Sequence, residues 1–308
     1  MRAVIAVAGT GSRFFPIGKT INKCMLPILN QPVVAYAVAD CIAAGAREIA
    51  IVTAPGEIGR QVRHYFTEDH DLKGYFTARG WQDKLGYAGQ YGALKAGCER
   101  AVVSVIGTEQ STVLRPGVIL GPREYVGRLT WWLGRAARGG RLLVPGPHSR
   151  PVQPVDVRDV ARFALLCASS RVSGTYNVTA PMDLATFGDL VESCVAVTGA
   201  GTEPVWVDSE WLSAQDVQQW TELPLWRTNP GVWKVDSRRA ATAGLRCRPL
   251  HETVVETWAW MNSGGTAITG DGEAGRAADH GLPPKRETEL LLAWQQARQA
   301  GGKAGRPA

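Results

Sequence analysis

The sequence lacks the patterns that would fix its compartment or chemistry at once. Its six cysteines (Cys24, Cys41, Cys98, Cys167, Cys194 and Cys247) are far apart and form no Cys-x-x-Cys pair. That excludes a recognisable metal cluster or disulfide framework, so no metal ligands are expected from them and a reducing cytoplasm is the expected setting. No apolar run approaches the roughly 20 residues needed to cross a bilayer, which leaves no membrane partner to expect. Residues 3–8 are apolar but too few for a signal peptide, and they run into glycines rather than a cleavage site. Internal repeats are absent, and so are blocks of like charge. The net charge of +6 is carried by scattered Arg and Lys, which suits a phosphorylated small molecule better than nucleic acid.

What is present is ordinary globular protein. With 308 residues, 45% hydrophobic and 20% charged, the chain has room for one large or two moderate domains around real cores. Residues 3–8 read as a buried parallel strand that breaks into Gly9-Thr10-Gly11-Ser12-Arg13. A glycine loop between strand and helix can aim backbone N–H groups at a phosphate, and Arg13, Lys19 and Lys23 follow to neutralise it. Residues 32–44 have apolar positions at helical spacing with Gly45 as C-cap, residues 48–53 form a second buried strand, and residues 56–66 a second helix. Strand–helix–strand–helix at this spacing predicts an α/β fold on a parallel sheet.

The run Ala8-Gly9-Thr10-Gly11-Ser12-Arg13-Phe14-Phe15-Pro16, with Lys19, Asn22-Lys23-Cys24-Met25-Leu26-Pro27 and Pro32, resembles the signature of the sugar-1-phosphate nucleotidyltransferases. Within them it is most similar to the UTP–glucose-1-phosphate uridylyltransferases, through about Lys84. The resemblance implies that Gly9, Thr10, Gly11 and Arg13 hold a nucleoside triphosphate, UTP with Mg2+. Arg13 and Lys23 would bind its phosphates as pyrophosphate leaves. Ser12 stands where that family usually has Thr. The family's metal-binding Asp and its sugar-binding Glu and Lys, expected well beyond residue 84, have no evident counterpart. Gly188-Asp189 and Gly270-Asp271 read as part of a helix and of a flexible stretch.

Tyr91 and Lys95 stand four residues apart at the start of a helical pattern, which puts them on one face a turn apart. An ammonium beside a phenol lowers the phenol's pKa, and such a Tyr can exchange a proton with a substrate hydroxyl or carbonyl while hydride moves. Downstream, residues 112–120 read as one strand closed by Gly121-Pro122. Residues 128–138 read as a helix with Leu129, Trp132, Leu133 and Ala136 inward, and 141–144 as a strand. Residues 157–169 form a helix with Asp156 as N-cap, 174–178 a strand, and Thr186 with Asp189 a capping box that opens the helix 187–197. Residues 204–226 hold four tryptophans (Trp206, Trp211, Trp220 and Trp226), read as packing for a small substrate region or as a lid. Helices are expected over 238–243 and 252–261.

The succession Tyr91-Gly-Ala-Leu-Lys95, Leu114-Arg-Pro-Gly117, Gly121-Pro122, Gln153-Pro-Val-Asp-Val-Arg158 and Gly174-Thr-Tyr-Asn177 resembles the second half of the extended short-chain dehydrogenase/reductases, the NAD-dependent epimerase/dehydratase family. The resemblance covers about residues 87–261. It implies Tyr91 as catalytic acid/base, Lys95 as its pKa modulator and ribose contact, and Pro116 and Val118 facing the nicotinamide of NAD or NADP. Arg150, Gln153 and Arg158 would lie toward a nucleotide-sugar substrate, and a homodimer would form through the Tyr/Lys helix. The family's glycine-rich dinucleotide loop and its substrate-orienting Ser/Thr belong to an N-terminal half that is replaced here.

The fold expected is therefore α/β, a parallel Rossmann-like sheet assembled from two partial nucleotide-binding folds with a smaller C-terminal substrate region. The segments are 1–84 (nucleotidyltransferase-like), 85–261 (epimerase/reductase-like), a linker at 262–285, a terminal helix at 286–299 and a disordered tail at 300–308. The leading functional expectation is an NAD(P)-dependent epimerase/dehydratase- or reductase-like protein of nucleotide-sugar metabolism acting through Tyr91 and Lys95. The alternatives are uridylyl transfer at the Gly9–Lys23 loop, and an inactive fusion of two incomplete sites.

Overall fold

The computed structural model describes residues 2–7, 23–25, 27–28, 31–43, 45, 48–53, 57–67, 75–77, 95–100, 102–104, 107–124, 126–229, 231–264 and 280–303. The chain is α/β with parallel strand pairs, and it divides into two compact units. The first comprises residues 1–113 and 167–174, the second residues 114–166 and 175–308.

In the first unit, β1 (Arg2–Val7) runs parallel to β4 (Glu48–Thr53), which runs parallel to β5 (Tyr75–Thr77). A short antiparallel pair, β2 (Pro27–Ile28) with β3 (Gln31–Pro32), leads into α1 (Val33–Ala43). Gly45 ends that helix at φ +82°, its N–H bonded to the Ile42 carbonyl, a left-handed position that favours glycine. In α2 (Glu57–Thr67), Val62 and Phe66 stand one turn apart. With Val34 and Val38 of α1 and Ile49 and Ile51 of β4 they make this unit's buried cluster. Residues 95–100 are helical. The strands and helices predicted for residues 3–66 are thus present.

Residues 112–120 form two strands rather than the one expected. β6 (Thr112–Pro116) pairs with β11 (Gly174–Val178), and β7 (Ile119–Leu120) runs parallel to β10 (Val155–Asp156). The break falls at Pro116-Gly117. Proline has no N–H for a ladder, and the Gly117 N–H is taken by the Val178 carbonyl at 3.0 Å. A Cβ on Gly117 would lie 2.7 Å from Thr179 Oγ1, so only glycine fits this close approach.

Helix α3 (Arg128–Ala136) buries Leu129, Trp132, Leu133 and Ala136, the face predicted from spacing. Its first N–H groups are satisfied from outside the helix, where the buried Glu124 carboxylate accepts from the Arg128 and Leu129 amides at 3.0 and 2.9 Å. Burial raises the Glu124 pKa, against the pull of those two amides and the Arg128 charge. β8 (Gly140–Pro145) runs parallel to β13 (Thr202–Val207). Leu142, Leu143 and Val144 of β8 are wholly inaccessible, as in a strand covered on both faces. Each such side chain contributes about 1.5–3 kcal/mol relative to exposure.

β9 (Pro151–Val152) and β12 (Ala185–Thr186) form a short antiparallel pair. Helix α4 (Val157–Ser169) starts where predicted, with the Asp156 carboxylate accepting from the Arg158 amide at 2.8 Å. Helix α5 (Phe187–Thr198) opens with the predicted capping box. Thr186 Oγ1 accepts from the Asp189 amide, and the Asp189 carboxylate accepts from the Thr186 amide. α6 (Ser209–Ala214) and α7 (Arg238–Thr242) are short, and α8 (Leu250–Asn262) packs on α5. Of the four tryptophans, Trp226 is fully buried, and Trp206, Trp211 and Trp220 lie half-buried against the same core.

Residues 280–303 are packed against the rest of the second unit. The Gly281 N–H bonds to the Thr221 carbonyl, a Cβ at Gly281 would run into the Trp131 indole, and Leu282 is buried. Helix α9 (Pro284–Lys303) reaches past the expected end at residue 299. An ion pair buried in the core fixes it. Arg135 Nε donates to Glu287 at 2.7 Å, and Glu287 also accepts from the Leu143 amide of β8 at 3.0 Å. No helix of the described residues is long and apolar enough to cross a membrane.

Candidate functional site

The expected site residues fall in three groups. Gly9, Thr10, Gly11, Arg13 and Tyr91 lie outside the described residues, as does the side chain of Lys23, whose backbone forms a single 3-10 turn over Lys23–Met25. Lys95 is exposed on the helical stretch 95–100 of the first unit. Pro116, Val118, Arg150, Gln153 and Arg158 belong to the second unit.

Pro116, Val118 and Gln153 come together. Pro116 and Gly117 are exposed, while the Val118 carbonyl accepts from the Val155 amide at 2.8 Å. The Thr179 hydroxyl donates to the Gln153 carbonyl and closes the far side of Gly117. The Gln153 side chain is 1% exposed and fully committed. Its Nε2 donates to the Ala180 and Val235 carbonyls at 3.0 Å, and its Oε1 accepts from the Val235 amide at 2.9 Å. Gln153 thereby ties the segment near residue 235 to the strand ends.

Arg158 is committed to carboxylates. Its Nε and Nη2 donate to Asp156 at 2.8 and 2.6 Å, and Nη1 pairs with Glu256. Next to it the Arg248 guanidinium donates to Asp159 at 2.8 Å. Thr253 Oγ1 donates to Asp156, and the Arg248 amide donates to Asp159 at 2.9 Å. Burial pushes the Asp156 pKa upward, but the hydrogen bonds from Arg158 and Thr253 outweigh it and hold the carboxyl below the ordinary aspartate range. Cys247, beside this network, is a poor nucleophile, because burial and the Asp159 charge push its thiol up to about 11.

Arg150 is placed differently. The parallel strands β8 and β13 end at Pro145 and Val207, and the Gly146 N–H bonds to the Val207 carbonyl at 2.7 Å. At these carboxyl ends Arg150 Nη2 donates to the Gly146 carbonyl at 2.7 Å and to Ser209 Oγ at 2.9 Å, and Nη1 donates to the Arg227 carbonyl at 3.0 Å. Ser209 is oriented in turn by the Trp226 indole N–H at 3.1 Å. Arg150 Nε is buried and has no acceptor among the described residues, and no carboxylate of those residues pairs with this guanidinium. Burial lowers its pKa, which is the mark of a cation short of a counter-ion.

The Arg227 guanidinium lies 4.8 Å from the centroid of the Trp220 ring, and the Arg128 guanidinium lies 4.8 Å from the same centroid. Trp220 holds this place at φ +75°, a left-handed backbone uncommon for a bulky residue. Three guanidinium groups are thus joined through Trp220 and the Arg227 backbone, with Glu124 at 3.8 Å from Arg128 as the paired carboxylate. Open α/β sheets bind ligands at the carboxyl ends of their strands, and an arginine fork fits phosphate oxygens. Ser209, Arg227, Trp220 and Arg128 were not singled out from sequence as site residues; the tryptophan-rich run was the available signal. Among the described residues no group of three or more His, Cys, Asp or Glu is placed to hold a metal ion.

Comparison with known proteins divides along the same chain. Residues 2–83 match the nucleotidyl transferase family. Curated relatives include the UTP–glucose-1-phosphate uridylyltransferases of Haemophilus influenzae, 49% identical over 73 residues and 24% of each chain, and of Escherichia coli, 38% identical over 78 residues and 25% of each chain. The chain thus spans about a quarter of the length of the curated relatives it matches. Among solved structures, a UDP-N-acetylglucosamine 4-epimerase from Methanobrevibacter ruminantium is similar over 85% of this chain and 77% of its own. The identity there is 17% and the TM-score 0.45, a level of likeness that carries no argument about chemistry.

Proposed function

We propose that the chain acts in nucleotide-sugar metabolism as an NAD(P)-dependent epimerase/dehydratase- or reductase-like protein, and that Arg150 binds the diphosphate of its substrate. The observation that carries the proposal is Arg150 itself, a desolvated guanidinium at the carboxyl ends of β8 and β13 that pairs with no carboxylate among the described residues. Arg227 and Arg128 extend the positive charge beside it, and the Trp220 indole fixes both. Arg158, with its donors on Asp156 and Glu256, acts through the framework, as does Gln153.

The exposed Pro116-Gly117 backbone beyond β6 suits a planar ring lying against it, held in register by the Val118–Val155 hydrogen bond. A nicotinamide cofactor bound there would supply the hydride acceptor or donor. The Tyr91 hydroxyl would take or return the proton of the substrate hydroxyl, and the Lys95 ammonium would keep the phenol acidic enough to do so.

A second reading is favoured by the family match over residues 2–83, in which the Gly9–Arg13 loop and Lys23 bind UTP with Mg2+ for uridylyl transfer. Thermal unfolding with NADH, NADPH, UDP, or UTP plus magnesium separates the two. Stabilisation by NADH or NADPH together with UDP is expected. Stabilisation by UTP–magnesium alone would replace the first reading with the second, and no shift with any ligand would favour an inactive fusion of two incomplete sites. Tyr91→Phe is expected to abolish hydride transfer, and activity that survives it would remove Tyr91 from the mechanism.

A further inference from the structure

A second concave region lies at the opposite end of β8 from Arg150. Arg141, near the amino end of β8, Val205 in the middle of β13, and Trp294, Gln295, Arg298 and Gln299 of α9 line a groove of about 320 Å³. Among the described residues the lining holds two guanidinium groups, two carboxamides and an indole, and no carboxylate. Arg141 Nη1 reaches the Gln295 carboxamide oxygen at 3.3 Å, a long single bond that leaves its other donors available. Neither Arg141 nor Arg298 is paired with a carboxylate among the described residues. Trp294 is braced from behind by Trp211, the ring centroids 5.1 Å apart. Its indole N–H is buried and has no acceptor among the described residues. An aromatic platform, amides spaced along one helix face and unmatched cationic forks form a donor-rich surface suited to hydroxyls and one anionic group.

We propose that this groove binds a small phosphorylated polyol, of the size of a monosaccharide phosphate. The sugar ring lies against Trp294, its hydroxyls meet Gln295 and Gln299, and its phosphate bridges Arg141 and Arg298. The volume is at the lower end for ligand sites, enough for one sugar ring with its phosphate and too small for a whole nucleotide sugar. The groove is separate from the Arg150 site, and the proposal does not rest on the function assigned there.

The test uses the full chain and indole N–H resonances, with Trp294 assigned by its loss in Trp294→Phe. Glucose 6-phosphate, glucose and inorganic phosphate are titrated separately. The expected result is a saturable shift of the Trp294 resonance with glucose 6-phosphate, at least tenfold weaker with either glucose or inorganic phosphate alone. Arg141→Ala with Arg298→Ala, both on exposed side chains, is expected to weaken glucose 6-phosphate at least tenfold, and Arg150→Ala to leave it unchanged. A Trp294 resonance unmoved by glucose 6-phosphate at millimolar concentration would overturn the proposal. Equal binding of inorganic phosphate would reduce the groove to an anion site and overturn the sugar part.

Discussion

Two arginine-rich regions of the second unit differ in one respect. Around Asp156 and Asp159, Arg158 and Arg248 are surrounded by carboxylates, Glu256 included, so positive charge is matched within the fold. At the ends of β8 and β13, Arg150 rests on two carbonyls and a hydroxyl, and Arg227 lies over an indole. Burial is unfavourable for a charge in both places. In the first it is offset by neighbours and the arginines hold α4, α8 and the segment at Arg248 together. In the second, no carboxylate among the described residues offsets it, which is the basis for proposing an anionic ligand there.

The comparison is sharpened most by removing a carboxylate from the matched region. Asp159→Ala removes the buried carboxylate that accepts from both the Arg248 guanidinium and the Arg248 amide, leaving Arg248 the more distant Asp156 and Glu256, and is expected to cost about 2–3 kcal/mol in chemical denaturation, with UDP affinity of the folded fraction unchanged. An equal loss of affinity would break the distinction. Arg150→Ala should do the reverse. UDP affinity measured by calorimetry falls about 10–100-fold, equivalent to about 1.5–3 kcal/mol for hydrogen bonds to a charged group, while stability changes by less than about 1 kcal/mol.

Acid titration probes the matched region from another side. Asp156 has its pKa held below the ordinary 3.8, with burial opposing and the Arg158 and Thr253 hydrogen bonds prevailing. Its stabilisation is therefore complete above that value and is lost as pH falls through the lower folded value. Unfolding followed between about pH 5 and pH 2 should be less pH-dependent in Asp156→Asn than in the parent chain. The smallest effect, about 1 kcal/mol, is expected for Thr186→Ala, which removes half of the α5 capping box. It should alter neither UDP affinity nor the acid profile.

How much of this the sequence carried depends on the range of the interaction. α4, the inward face of α3 and the Thr186–Asp189 box were legible because they rest on spacing and caps a few residues apart. The break between β6 and β7 falls at Pro116-Gly117, a local signal inside the stretch read as one strand, whereas the close packing of Thr179 on Gly117 from 62 residues away leaves no local trace. Arg150 was named from the family resemblance as a residue lying toward the substrate. Its setting was not legible, because Ser209 and Arg227 lie 59 and 77 residues downstream. The same holds for Gln153 and Arg158, whose commitments to Val235 and Glu256 are invisible in a local pattern.

The buried Glu287 has a consequence for solubility. Among the described residues β8 pairs with β13 along one side, and on the other the Leu143 amide is taken by the Glu287 carboxylate. That carboxylate stands where a neighbouring strand would otherwise dock, so α9 shields a sheet margin that is apolar over Leu142, Leu143 and Val144. A chain ending at Gly264 would present that margin uncovered, and light scattering should show it self-associating at concentrations where the full chain does not.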